Sequence, residues 1–336
     1  MTALRPRLAL SVAEEPVALA EPFKITGYVF TDMPVVVARL RNGAAEGQGE
    51  ASGVYYLGDD VPAMVAAIEA AREAIEGGVD REGLRRAMPP CGGRNAVDAA
   101  LWDLEAKLGG RPAWAIAGLE RPRPLVTTFT VGAAEPEIMA RKAMGYTHAR
   151  ALKLKLTGEA DLDAARVQAV RGARPDAWLA VDANQGFVPD TLERLMPALV
   201  DAKVRLLEQP FARGREADME GLGSSIPVAA DESLQSLADL ESMVGRFDVV
   251  NIKLDKCGGL TEGLEIARQA KRLGLGVMVG NMVGTSLAMG PAFLLGQLCE
   301  VVDLDGPIFI TRDREPAVTY ADGLISYPEH GWGAPS

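Results

Sequence analysis

Leu152-Lys153-Leu154-Lys155-Leu156 alternates apolar and cationic side chains. Alternation marks a strand, whose side chains repeat every second residue. The two ammonium groups then share one face and the leucines cover the other. Taken alone, K-x-K also suits a solvent-facing edge strand, where lysines discourage pairing. The sequence downstream decides against that. Apolar runs end one after another in a carboxylate, at Leu179-Ala-Val-Asp182, Val204-Arg-Leu-Leu-Glu208 and Val228-Ala-Ala-Asp231, and a fourth, Val249-Val-Asn-Ile-Lys253, ends in lysine. Two lysines, three acids and another lysine at successive strand ends describe a site rather than a surface.

Working outward, residues 126–131, 151–156, 178–181, 204–207, 227–230, 249–252, 276–279 and 301–304 read as strands, with helical stretches between them such as 161–174 and 261–273. Eight such units predict a parallel β/α barrel. An open doubly wound sheet would show a glycine-rich first turn, which is missing. Upstream, residues 4–12 and 33–41 read as strands, with a loop containing Pro16, Pro22 and Gly27 between them. A second loop is expected over 43–60, where Gly47 and Gly49 lack the third glycine of a dinucleotide fingerprint. Helical spacing follows over 61–76. Asn95 then reads as the N-cap of a helix stopped by Gly109-Gly110, and a short helix is expected over 111–119. Strands followed by helices make an α+β unit. Pro122 and Pro124 mark its end, so two domains are expected, 1–120 and 121–314, with the tail 315–336 packing back on the first.

The 336 residues are 48% hydrophobic and 24% charged, which is globular composition with enough chain for a large core. Lys+Arg 35 against Asp+Glu 46 leaves a net charge of -11, which argues against a nucleic-acid partner. Cys91, Cys257 and Cys299 are odd in number and widely spaced, forming neither a disulfide framework nor a zinc motif, which suits a cytoplasmic protein. After Arg5 and Arg7 the apolar piece is short and runs into Glu14 and Glu15, so no secretory leader is expected, and no apolar run is long enough for a membrane span. Neither His148 nor His330 ends an apolar run, so imidazole chemistry is not expected.

Active sites of β/α barrels lie at the C-terminal ends of the strands. Asp182, Glu208 and Asp231 offer three oxygen ligands from three strands, which suits a hard divalent cation, Mg²⁺ by default. A single acid there would serve equally as a helix cap; three in succession, flanked by lysines, favour ligation. Mg²⁺ on a substrate carboxylate stabilises the enediolate formed when the neighbouring carbon loses its proton. A lysine takes that proton only with its pKa lowered to about 7–8, which a cation and a second ammonium group favour. Two lysines on opposite faces of the carbon make a racemase or an epimerase.

In order along the chain stand Asn95-Ala-Val-Asp-Ala-Ala-Leu-Trp-Asp-Leu104, Lys153-Leu-Lys155, Val181-Asp-Ala-Asn184, Glu208-Gln-Pro210, Asp231-Glu-Ser233, Asn251-Ile-Lys-Leu-Asp-Lys-Cys-Gly-Gly259 and Asp303-Leu-Asp-Gly-Pro307. With these motifs the chain resembles the enolase superfamily, in its muconate-lactonizing subgroup, and most closely the dipeptide epimerases of L-Ala-D/L-Glu epimerase type. The resemblance is nearly full length. It implies an α+β capping domain over a modified (β/α)7β barrel of TIM type. It implies Asp182, Glu208 and Asp231 as Mg²⁺ ligands and Lys155 and Lys253 as the acid/base pair. Lys153 would stabilise charge on the substrate carboxylate, with Glu232, Asp255 and Lys256 close by. Asp303 and Asp305 would hold the α-ammonium group of a dipeptide, although D-x-D-G is also a good turn sequence. Thr130, Asn281 and Met282 would line the pocket.

N-acylamino acid racemase, o-succinylbenzoate synthase and muconate cycloisomerase are alternatives on the same site, and the acidic pair counts against them. Sugar-acid dehydratases of the superfamily usually need a histidine, which no strand end supplies. Outside catalysis, the alternative is a silent ligand-binding protein on this fold. Homo-oligomers are common in the family.

In relatives acting on L-Ala-D/L-Glu, the resemblance implies an arginine in the first capping loop that pairs with the glutamate side chain. Here the matching loop follows Pro22-Phe23, and no arginine occurs between Arg7 and Arg39. Tyr28 or Phe30 takes that place, and Lys24 is the cation nearby. Tyr55 and Tyr56 stand in the second loop with Asp59 and Asp60. Burying a carboxylate without a bidentate partner is costly. A hydrophobic or cationic second residue is therefore expected over glutamate, with Lys24 as the alternative clamp.

Overall fold

The computed structural model describes residues 7–25 and 28–335, the side chains of residues 23–25 and 28 excepted. Lys24 and Tyr28, as specificity residues, thus lie outside the described residues.

The N-terminal strands are β1 (Ala9–Glu15), β2 (Ala18–Ile25), β3 (Tyr28–Asp32), β4 (Val35–Asn42) and β5 (Ala45–Ala51). The valine run places β4 at the centre of an antiparallel sheet β1-β4-β5, and Val35, Val36 and Val37 are fully buried. Two expected loops are strands instead. Residues 18–25 and 28–32 pair antiparallel as β2 and β3, with Phe23 opposite Phe30; a two-stranded ribbon has free edges that tolerate Pro22. Gly47 and Gly49 lie inside β5, where a Cβ would stand 2.2 Å from the Ala100 carbonyl and 2.1 Å from that of Ala96. These glycines permit a helix to lie directly on the sheet.

That helix is α4 (Gly92–Gly109), preceded by α1 (Val61–Ala70), α2 (Arg72–Glu76) and α3 (Arg81–Ala87). It starts before the expected Asn95: Cys91 is the N-cap, its Sγ accepting from the Arg94 N–H at 3.3 Å. Asn95 lies within the helix, its buried Oδ1 without a hydrogen-bond partner among the described residues. Gly110, at φ 59, ends α4 in the left-handed conformation, and α5 (Ala113–Ile116) follows.

The second unit runs through β6 (Leu125–Val126), β7 (Thr128–Val131), α6 (Pro136–Gly145), β8 (Ala151–Lys155), α7 (Ala160–Ala173), β9 (Trp178–Asp182), α8 (Pro189–Asp201) and β10 (Val204–Glu208). It continues through β11 (Val228–Ala230), α9 (Leu240–Met243), β12 (Val249–Lys253), α10 (Leu254–Cys257), α11 (Leu260–Arg272), β13 (Gly276–Gly280), α12 (Ser286–Gly296) and β14 (Val301–Val302). Strands β7 to β14 make one eight-stranded sheet in sequence order. Side chains draw its ends together: Thr127 Oγ1 accepts from the Leu304 N–H at 2.9 Å, and Thr128 Oγ1 donates to Asp303 at 2.5 Å. The result is a nearly closed parallel barrel. After β10 a short 3₁₀ turn, Glu216–Met219, stands where strand–helix alternation leads one to expect a helix. The expected strand 126–131 is split in two. Its first part, β6, pairs antiparallel with the tail, where β15 (Thr319–Ala321) and β16 (Leu324–Ser326) lie. Among the described residues no helix is long and apolar enough to cross a membrane.

Helix α4 also reaches the barrel. Arg94 donates to the carbonyls of Cys257 at 2.5 Å and Gly258 at 2.9 Å and to Glu262 at 2.6 Å, while Asp98 accepts from the Thr261 N–H at 3.0 Å. A Cβ on Gly259, at φ 121, would stand 2.5 Å from the Asp98 carboxylate. One helix therefore packs on the N-terminal sheet and on the segment just after Lys253.

Gly49→Ala is expected to lower stability by about 1–3 kcal/mol, because the added methyl overpacks the β5–α4 contact. Urea unfolding checks this. An unchanged midpoint would mean that α4 does not press on the sheet.

Candidate active site

The barrel interior follows from the period of two along each strand. Ala180, Leu206 and Ala229, with Met278, form a small apolar cluster. Two residues further along each of the first three strands come Asp182, Glu208 and Asp231. The apolar layer is the floor and the charged layer stands on it. Lys155, Asp182 and Glu208 are in register. Lys153, level with Ala180, lies one layer deeper. Leu152 and Leu154 face outward into the main core with Val167 and Val170. In an eight-stranded barrel, strands four apart face each other, so Lys155 on β8 and Lys253 on β12 stand across the mouth. The three acids lie on the arc between them, and Asn281, Asp303 and Asp305 follow β13 and β14 on the other arc.

All these charged groups are buried. Lys155 donates to Asp182 at 2.5 Å, Lys253 to Asp231 at 2.6 Å, and Lys256 to the other oxygen of Asp231 at 2.5 Å. Lys153 binds Asp303 and stands 3.6 Å from Glu208 and 3.8 Å from Asp182. Asp182, Glu208, Asp231, Glu232, Asp303 and Asp305 thus surround Lys153, Lys155, Lys253 and Lys256, with negative charge in excess. Burial, then Asp182, pushes Glu208 up to about 8, although Lys153 opposes the shift. Burial with Asp231 and Asp182 raises Glu232 to about 7, and burial with Asp303 raises Asp305 to about 6. Burial opposes charge on Lys253, yet Asp231 and the other acids hold it well above the ordinary lysine range. Asp231, despite burial, is held below the carboxylate range by Lys253 and Lys256.

This donor set fits a divalent cation. Among the described residues the buried acceptors Glu208 Oε2, Glu232 Oε2, Asn184 Oδ1 and Asn251 Oδ1 have no hydrogen-bond partner, and a cation satisfies acceptors that lack donors while offsetting the surplus charge. The carboxylates are turned toward lysines instead, so among the described residues no three acids close around a common point.

Several residues that hold this geometry were not singled out for such roles from sequence. Gln209 accepts from the N–H groups of Asp231 at 2.9 Å and Ser233 at 3.0 Å, tying the end of β10 to the segment after β11. Asn251 fixes one Glu208 oxygen at 2.8 Å. Asn184, Gln185 and Gln209 take φ of 41°, 67° and 35°, so left-handed backbone follows Glu208 directly and Asp182 after one residue. A Cβ on Gly280 would meet Asn251 at 2.8 Å and Lys253 at 3.0 Å. The motifs contained Asn184, Gln209 and Asn251, but the cross-strand bonds of Gln209 and Asn251 reach other strands of the barrel.

A cavity of about 70 Å³ opens between the lysines, and Phe30, Tyr55, Thr130, Lys153, Lys155, Lys253, Asn281, Met282, Asp303 and Asp305 all line it. Asp305 accepts from the Thr130 N–H at 2.7 Å. Phe30 and Tyr55 meet edge to face at 5.1 Å, joining the two capping segments. Glu232 also lines the cavity, and Lys256 bonds Asp231. Asp255 has a different place: it accepts from the N–H groups of Ser52 and Gly53, both at 2.9 Å, and anchors the second capping segment.

The family described as enolase C-terminal domain-like matches residues 137–334. An L-Ala-D/L-Glu epimerase of Escherichia coli K12 is 35% identical over 94% of this chain and 98% of its own. A hydrophobic dipeptide epimerase of Roseobacter litoralis is 35% identical over 70% of this chain and 72% of its own. Among solved structures, an enolase family member from Agrobacterium tumefaciens with homology to dipeptide epimerases, bound to sodium and L-Ala-L-Glu, superposes with a TM-score of 0.93. It is 38% identical and covers 97% of this chain and 100% of its own.

Pushed up to about 8 by burial, Glu208 would have to release a proton to serve as a ligand. Mg²⁺ affinity is therefore expected to fall by up to about tenfold per unit as pH drops below that value. Calorimetric titration at a series of pH values measures this. Glu208→Gln should weaken binding and flatten the slope, and a pH-independent wild-type affinity would exclude Glu208 as the titrating ligand.

Proposed function

The chain belongs to the enolase C-terminal domain-like family of the enolase superfamily, and from that premise we propose that it is a dipeptide epimerase. This isomerase inverts the α-carbon of the C-terminal residue of an L-Ala-L-Xaa-type dipeptide. The arrangement of Lys155 and Lys253 across one cavity carries the reading, with carboxylates on the arc between them and a second acidic pair on the remaining arc. A dipeptide spans that cavity in one sense. Its ammonium group goes to Asp303 and Asp305, and its carboxylate to the opposite arc beside Lys153. The α-carbon then lies between the two terminal lysines.

Asp182, Glu208 and Asp231 would hold Mg²⁺. When bound, the cation supplies the positive charge that acidifies the α-proton and offsets the surplus of acids. Lys155 or Lys253, in its neutral form, takes the proton from one face while the other, as ammonium, returns one to the opposite face. After one turnover their protonation states have exchanged, so either epimer is substrate. Each lysine must leave its carboxylate to act, because an ammonium group held by Asp182 or Asp231 has no lone pair to offer. Lys153 stays charged and faces the developing negative charge on the substrate carboxylate. N-acylated substrates lack an ammonium group, so Asp305 would be left buried without a cationic partner.

In this reading residues 1–120 and the tail 315–336 close over the catalytic residues 121–314. The protein is cytoplasmic and takes a small dipeptide as its partner, in a family where homo-oligomers are common. For the second residue we favour hydrophobic or cationic side chains over glutamate. Phe30, Met33, Tyr55, Met282 and Val283 line the cavity, and its cations Lys153, Lys155 and Lys253 already hold carboxylates.

Lys155→Ala and Lys253→Ala are each expected to abolish epimerization, while one stereoisomer still exchanges its α-proton in D₂O through the surviving lysine. Mass spectrometry and chiral chromatography read the two events separately, and near wild-type inversion in either variant would remove the two-base assignment. On the wild type, kcat/KM for L-Ala-L-Phe, L-Ala-L-Leu and L-Ala-L-Lys should exceed that for L-Ala-L-Glu by roughly tenfold or more. A clear preference for L-Ala-L-Glu would reverse the specificity.

A further inference from the structure

The cavity between the lysines has a neighbour. Beyond the acidic pair lies a groove of about 420 Å³, lined among others by Pro22, Thr130, Ala133, Glu135, Ile138 and Phe309. Thr130 and Phe309 line both spaces, so the groove begins where the catalytic cavity ends. Its wall is small and apolar: Ala133 and Ala134 are half-buried, and Ile138 on α6 is 48% exposed toward it. Glu21 of β2 and Lys142 of α6 pair beside it, joining the first capping segment to the barrel. Glu135, on the same rim, has no ion pair among the described residues.

Resting on the epimerase reading, we propose that this groove receives the side chain of the dipeptide's first residue, and that the enzyme accepts large first residues, cationic ones included, as well as alanine. The geometry follows from the substrate's own carbon. The first α-carbon carries its ammonium group to Asp305, which is bonded to the Thr130 N–H. Its carbonyl points back toward the lysines. The side chain is left to leave past Thr130 and Phe309 toward Pro22 and Ala133. A methyl group fills little of that space. A leucine or arginine stem covers the apolar wall, and an arginine tip reaches the rim that Glu135 makes acidic.

The test measures epimerization of L-Ala-L-Phe, L-Leu-L-Phe and L-Arg-L-Phe, with calorimetric binding of the same dipeptides alongside. The wild type should turn over the two larger substrates with kcat/KM within a fewfold of L-Ala-L-Phe or above it. Ala133→Trp should lower the ratio of large to alanine substrates by roughly tenfold, the scale set by a few methylenes in an apolar pocket. Ile138→Trp, on an exposed helix face, should lower the same ratio and keeps the test alive if the first variant misfolds. A wild type that rejects large first residues by tenfold or more overturns the inference, as do variants that lower all three substrates equally. Selective binding without turnover would sustain the groove and overturn the epimerase reading instead.

Discussion

Among the described residues six carboxylates share the barrel mouth with four ammonium groups, all buried, and this imbalance is the constraint on which the rest of the structure depends. Charges removed from water must be paired or must shift their pKa. Here both occur. Asp182 and Asp231 take lysines, while Glu208, Glu232 and Asp305 are driven toward protonation. A cluster held in that state by the fold offers carboxylates to a cation once Glu208 loses its proton and the lysines turn away.

Holding like charges together demands a rigid frame. The apolar floor of Ala180, Leu206, Ala229 and Met278 offers the acids no side-chain hydrogen-bond partner from beneath. Gln209 and Asn251 fix the acids from the side. Behind Lys253, the buried Arg94 guanidinium binds the carbonyls of Cys257 and Gly258, so helix α4 braces the far side of the segment that follows the proposed base. The N-terminal unit is therefore part of the catalytic frame as well as a cover. Ser52 and Gly53, bonded to Asp255, carry Tyr55 to the cavity in the same way.

In the proposed reaction the charge pattern would also orient a substrate along the barrel. The acids between the lysines suit the end of the molecule where negative charge develops beside a cation, and Asp303 with Asp305 suits the positive end. Lys153 touches both, bonding Asp303 while standing 3.6 Å from Glu208. It separates two clusters of like charge that would otherwise repel across the barrel. The groove past Thr130 extends the same axis outward.

The alternation of Leu152 to Leu156 and the acid-ended runs revealed the barrel, its functional end and the charged layer, because strand period and strand end are local properties of sequence. The pair Asp303-x-Asp305 was singled out through resemblance, and the structure places both residues in the lining of the cavity. Gly47 and Gly49 were misread as loop because glycine looks alike whether it turns a chain or lets a helix approach, and only the position of α4 tells the two apart. Asn95 was misread as a cap because any Asn before an apolar run offers one, whereas Cys91 held the place. Gln209, Asn251 and Asp255 could not be assigned from sequence, since each acts on a group in another element. Sequence determined which charges stand at the barrel mouth. Which charge neutralises which was decided only by tertiary structure, because pairing depends on through-space distances between strands that the order of residues does not contain.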